Sequence, residues 1–149
     1  MRTTTRVIGL LALAALPTQA AELQLTEAWV RALPPVQKVT AGYLTISNTG
    51  TNAAEITGGS AELAQRVEIH TTREVDGMMR MEPLPSLTVG PGERVSLAPG
   101  GHHLMLLGLE RMPQPGETVK LCLTVSGAEP VCTMADVRQG APEDGHHHH

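Results

Sequence analysis

Four residues carry the chemistry that this sequence most directly offers: His70, Met81, His103 and Met105. Ten residues separate His70 from Met81, twenty-one separate Met81 from His103, and Leu104 alone separates His103 from Met105. Two imidazoles and two thioethers suit monovalent copper, because soft sulfur ligands select Cu(I) while imidazole serves several transition metals. Of the seven histidines, four form the terminal run, so the body holds only His70, His102 and His103. The pattern uses two of these three.

The elements that must position them read as β-structure. Leu23 to Val30, Gly42 to Asn48, Ala53 to Thr57, Arg66 to Thr71, Arg94 to Leu97, Leu104 to Leu109, Thr118 to Val125 and Val131 to Val137 are short runs rich in Val, Leu, Ile and Thr. Turn signals separate them, including Gly58-Gly59-Ser60, Asp76-Gly77, Pro99-Gly100-Gly101 and Pro113-Gln114-Pro115-Gly116. Short strands at this spacing predict an all-β sandwich or barrel. Helix is expected nowhere in the body, except for a turn around Ala61 to Gln65. With no phenylalanine and only Trp29 and Tyr43 as aromatic residues, the core must be Leu, Val, Ile and Ala.

Alternation then places the ligands. A strand at Leu104 to Leu109 puts His103 and Met105 on one face, about 7 Å apart, with Leu104 and Leu106 on the other. In Arg66 to His70, Val67 and Ile69 share a face opposite Glu68 and His70. Asp76-Gly77 is a hairpin signal. It folds Met78-Met79-Arg80-Met81 back beside the strand that ends in His70, with Met79 and Met81 on one face. Two other readings stay open at this point. Met105 could be core filling with His103 facing solvent, and the clustered methionines could form a partner-binding patch. His102 must point away from His103, as a bystander or a supporting group.

Cys122 and Cys132 are the only cysteines, with nine residues between them. Equal arms about Gly127 place them opposite each other in a hairpin. A structural disulfide is expected in an exported domain; a one-residue register shift would part them, and a dithiol copper or redox site is the functional alternative. A blue-copper centre is excluded, since it needs a Cys thiolate and two His and no His lies between Cys132 and the tail. No Gly-x-Ser-x-Gly, His-Glu-x-x-His or phosphate-cradling glycine loop is present, so no enzyme is expected.

Met1 to Arg6 is a positive n-region, Val7 to Pro17 an apolar stretch, and Thr18-Gln19-Ala20 a cleavage site, together a signal peptide over residues 1–20. The apolar run is too short for a spanning helix, which needs roughly 18 residues. The remainder, residues 21–139, is sized for one domain. Residues 21–149 carry nine basic and fifteen acidic side chains, a net charge of −6. Scattered basic residues and few aromatics argue against nucleic acid. Residues 140–149 lack apolar residues to bury and read as a disordered tail. Its His146, His147, His148 and His149 are either an expression tag or a native second metal site, better suited to Cu(II) than to Cu(I).

With this spacing in view, the chain resembles the PCuAC family of periplasmic copper chaperones over roughly Ala28 to Val137. The resemblance rests on Ala28-Trp29-Val30-Arg31, Ala41-Gly42-Tyr43-Leu44-Thr45-Ile46-Ser47-Asn48, Val67-Glu68-Ile69-His70 and Pro99-Gly100-Gly101-His102-His103-Leu104-Met105-Leu106. It implies a cupredoxin-like Greek-key β-sandwich or barrel holding Cu(I) through His70, Met81, His103 and Met105. It also implies copper delivery toward the binuclear centre of a cytochrome c oxidase, alongside a Sco-type thiol protein. Family members with a His-rich tail use it for a second copper, often Cu(II). The cysteine pair is not part of the family pattern. A copper buffer without a dedicated client and a metal-free interaction module are the competing readings. A monomeric periplasmic protein is expected.

Overall fold

The structure is a computed structural model that describes residues 21–140. The signal segment 1–20 and tail residues 141–149, including His146 to His149, lie outside the described residues. Ten strands follow one another: β1 (Leu23–Arg31), β2 (Val39–Asn48), β3 (Ala54–Ala61), β4 (Ala64–Val75), β5 (Met78–Pro83), β6 (Leu87–Val89), β7 (Arg94–Leu97), β8 (His103–Leu109), β9 (Thr118–Val125) and β10 (Val131–Arg138). Among the described residues there is no helix. At Ala61 to Gln65 the chain makes only a two-residue turn, Glu62-Leu63, because β3 and β4 pair directly on either side of it.

Seven strands close a barrel in the order β4-β8-β2-β1-β10-β9-β3, and β3 pairs back onto β4. β1 and β10 run parallel, and the other pairs are antiparallel. The three remaining strands hang on the rim, β5 on β4, β6 on β3 and β7 on β2. Closure removes the open edges that an isolated sheet would expose. Alternating residues turn inward to form one core, with Val30, Leu44, Ile46, Ile56, Leu104, Leu106, Leu121 and Leu123 fully buried. Aliphatic side chains fill this interior, in keeping with the absence of phenylalanine.

Two irregularities interrupt this regular alternation and pairing. In β1 the register shifts between Thr26 and Trp29, and Glu27 adopts φ of 55°. This bulge inserts one residue and reverses the alternation. Leu25 and Val30 therefore both face inward, while Trp29 turns outward beside Tyr43 of β2. In β3, Gly58-Gly59-Ser60 does not separate strands as the sequence reading expects. The strand runs through them, because Gly59 lets β3 approach β9 so closely that a Cβ there would lie 2.5 Å from the Cys122 carbonyl oxygen. Glycine inside a strand marks such a close approach.

Candidate metal centre

The four candidate ligands lie on the outer face of three neighbouring strands, β5, β4 and β8. Register places His70 opposite His103, and Glu68 opposite Met105, across β4 and β8. Across β4 and β5 it places Thr72 opposite Met81. Because residues two apart on a strand share a face, His70, Thr72, Met81, His103 and Met105 all point to the same side of the barrel wall. The hairpin that delivers Met81 turns at Asp76 and Gly77, both at positive φ (53° and 76°), with Val75 facing Met78. A two-residue turn of this type matches the twist of its flanking strands.

The imidazoles of His70 and His103 have ring centroids 5.8 Å apart. One metal spans such a gap when each nitrogen sits about 2 Å from it. Each ring has one nitrogen occupied by the protein and one left free. His70 Nε2 donates to Glu68 Oε2 at 2.9 Å, and His103 Nδ1 donates to the Gly101 carbonyl at 3.1 Å. His70 Nδ1 and His103 Nε2 are buried without a hydrogen-bond partner. Buried polar nitrogens are ordinarily satisfied. These two carry lone pairs, fixed in tautomer by the bond at the opposite ring position, which is how metal-binding histidines are commonly prepared.

Electrostatics favour the neutral, metal-competent form at His103. It is only 3 % exposed, and burial pushes its pKa below the ordinary histidine value, with nearby His70 and His102 adding to the effect. The hydrogen bond from His70, assisted by the Arg66 guanidinium, holds the Glu68 carboxyl below its usual range. His102 sits just before β8, and its Nδ1 is likewise buried without a partner.

The thioethers complete the arrangement. Met81, His103 and Met105 line one cavity of about 350 Å³ together with Arg31, Tyr43 and Thr72. Met81 is 61 % exposed and Met105 is half-buried, so the cavity opens to solvent on the β5 side. Among the described residues no three His, Cys, Asp or Glu side chains cluster as a metal site. Hard-ligand centres for zinc or calcium want such clusters. The outer face instead carries two imidazoles and two soft sulfurs.

Cys122 and Cys132 face each other across β9 and β10 and are joined in a disulfide, with Cα atoms 4.0 Å apart. β9 and β10 are the two strands farthest round the barrel from β8. Neither cysteine is free, so neither supplies a thiolate to the centre. Several neighbours of the site have no signature in the sequence. Trp29 stacks on Tyr43 at 4.5 Å, and Tyr43 lies 6.5 Å from His103, so aromatic rings from β1 and β2 lie beside the candidate ligands. Only Glu68 was findable by pattern, since alternation puts it on the face of His70.

Comparison with known proteins agrees with this fold. The family model described as "Putative lipoprotein LpqE-like" matches residues 23–137. Lxx21020 of Leifsonia xyli subsp. xyli, which carries the same lipoprotein description, is 30 % identical over 129 residues, covering 85 % of this chain and 76 % of that protein. The solution structure of the Cu(I) form of DR1885 from Deinococcus radiodurans superposes with a TM-score of 0.61 at 31 % identity, covering 85 % of this chain and 81 % of that one. The copper-bound PCuAC domain of PmoF2 matches with a TM-score of 0.65 at 21 % identity, over 83 % of this chain and 97 % of that domain, a likeness of fold.

Proposed function

Since the chain belongs to the LpqE-like family, which is the PCuAC family, we propose that it is a copper(I) carrier of the cell envelope that binds its cargo through His70 Nδ1, His103 Nε2, Met81 and Met105. The observation that carries this reading is the pair of buried, unpartnered imidazole nitrogens on the outer face that also bears the two thioethers. The donor set matches Cu(I), and the related DR1885 has been solved with that ion. None of the four ligands is a thiolate, and thioethers do not titrate, so only the two imidazoles must be kept neutral.

Exposure favours transfer over storage. Met81 stands open to solvent on an edge strand, so an incoming ligand can displace it while the two imidazoles and Met105 still hold the ion. The delivery target we propose is the binuclear copper centre of a cytochrome c oxidase, with a Sco-type thiol protein acting alongside. The signal-like start and the lipoprotein description of the relatives support export, and we place the protein in the periplasm. The terminal histidines, His146 to His149, are proposed as a second site, for Cu(II).

A Cu(I) competition titration against a chromophoric chelator, anaerobic and under reducing conditions, tests the body site. Protein ending at Gly145 should bind one equivalent tightly, and Met81→Leu/Met105→Leu should lose it. Equal affinity in the two proteins rules out the four-ligand site.

A further inference from the structure

The wall of the copper cavity formed by β1 and its neighbours carries the opposite charge from the chain as a whole. The bulge at Glu27 turns Trp29 outward, and Arg31 follows on the same face, directly paired with Arg138 across the parallel β1–β10 ladder. The Arg31 guanidinium carbon lies 5.8 Å from the Trp29 ring centre and 5.6 Å from that of Tyr43, and the Arg138 carbon lies 5.1 Å from Trp29. Arg31 also lines the cavity that Met81, His103 and Met105 share.

These two arginines differ from most others in the protein. Arg66, Arg73, Arg94 and Arg111 each pair with a glutamate. Neither Arg31 nor Arg138 has an ion pair or a side-chain hydrogen bond among the described residues, and the Nε of each is buried without a partner. Asp136, opposite Trp29 on β10, reaches neither of them as an ion pair. The aromatic rings lie against both guanidiniums, whose terminal nitrogens carry no hydrogen bond to the described residues. Such a planar fork matches a carboxylate bidentately.

We propose that Arg31 and Arg138 form a docking anchor for aspartate or glutamate side chains of the protein that exchanges copper with this chain. The inference rests on the copper-carrier reading for its purpose, though not for its geometry. The net negative charge of the mature chain does not oppose it at contact. Exposed charges more than about 8 Å away are screened at physiological salt, and of the three glutamates on β4 and β5, Glu68 and Glu82 are paired with Arg66 and Arg73 while Glu74 is not. An anchored carboxylate fixes which face of the partner meets the exposed Met81, and complementary charge sets orientation in this way.

Trp29 is the only tryptophan and lies beneath both guanidiniums, so its fluorescence reports docking without any copper. The probes are two synthetic peptides with one shared Met-and-His donor set, flanked by glutamates in one and by glutamines in the other, and inorganic phosphate as a third arm. The copper-free full chain should show a saturable Trp29 change with the glutamate peptide, at least tenfold weaker with the glutamine peptide. Arg31→Gln/Arg138→Gln should abolish it. Arg31→Lys/Arg138→Lys, which keeps the charge and guards against misfolding, should weaken it severalfold. Equal response to the two peptides, a glutamate preference surviving in the glutamine variant, or a response to phosphate as strong as to the peptide would each overturn the proposal. Failure of the copper reading would show separately, as absent Cu(I) binding in the chelator titration.

Discussion

Glu68 and His70, two residues apart on β4, share the outer face of the barrel, and the Glu68 carboxylate accepts the His70 Nε2–H at 2.9 Å. That bond leaves His70 Nδ1 as the buried, unpartnered nitrogen. Glu68 thus acts as a positioning residue that selects the tautomer in which Nδ1 offers a lone pair. Partners of this kind typically matter by 10–100-fold in metal affinity. Glu68→Ala should weaken Cu(I) binding by about tenfold or more in a chelator competition, with Glu68→Gln in between. Unchanged affinity in the alanine variant would mean that His70 needs no such support.

His103 makes the copper-free protein sensitive to mild acid. Its folded pKa is pushed below the ordinary 6.5, chiefly by burial. Between that lowered value and 6.5 the unfolded chain binds the extra proton, so unfolding takes up protons there. The contribution of His103 to stability is therefore complete above about pH 6.5 and is lost as pH falls through the folded value. Thermal melts of the apo protein from neutral to mildly acidic pH should show a falling Tm, and His103→Gln should remove part of that slope. An identical slope in the variant would assign the sensitivity to other groups.

The disulfide should support the fold and leave copper alone. Cys122 and Cys132 are ten positions apart, and closing a loop of that size stabilises by about 2–3 kcal/mol in the chain-entropy account. Cys122→Ala/Cys132→Ala should lower urea stability by that order. Cu(I) affinity should stay level, since β9 and β10 lie farthest from β8 round the barrel. A loss of copper binding with folding intact would tie the thiols to the site after all.

Gly59 has the least room for a Cβ of the described glycines. An added Cβ would sit 2.5 Å from the Cys122 carbonyl oxygen and 3.2 Å from Val67 Cγ1. The backbone oxygen cannot rotate away as a side chain can, so β3 and β9 must separate. Gly59→Ala should destabilise by about 1–3 kcal/mol, the usual range for overpacking, measured by urea unfolding. A variant as stable as the parent would show that the two strands part easily at this point.

Much of this protein was legible in the sequence, and for definite reasons. The period-two pattern of Arg66 to His70 and of His103 to Leu106 put each inward aliphatic opposite an outward polar or sulfur-bearing residue, because strand alternation is a local property of the backbone. Asp76-Gly77 announced the hairpin that returns Met81 toward His70, because two successive positive φ angles suit that pair of residues. Equal arms about Gly127 likewise gave the register of Cys122 on Cys132. Gly58-Gly59-Ser60 misled, since local chemistry alone cannot distinguish a turn from a strand pressed against its neighbour.

Tertiary structure decided the rest. Strict alternation from Leu23 and Leu25 would have pointed Trp29 into the barrel core. Only the bulge at Glu27, set by how β1 pairs with β2, turns Trp29 and Arg31 outward to the face of the candidate ligands. Which imidazole nitrogen stays free depends on Glu68 and on the Gly101 carbonyl, and the burial that keeps His103 neutral comes from strands distant in sequence. Residue types and spacing determined which ion the candidate ligands suit. The pairing order β5-β4-β8-β2-β1 determined which of the candidate ligands share a face and what charge stands beside them.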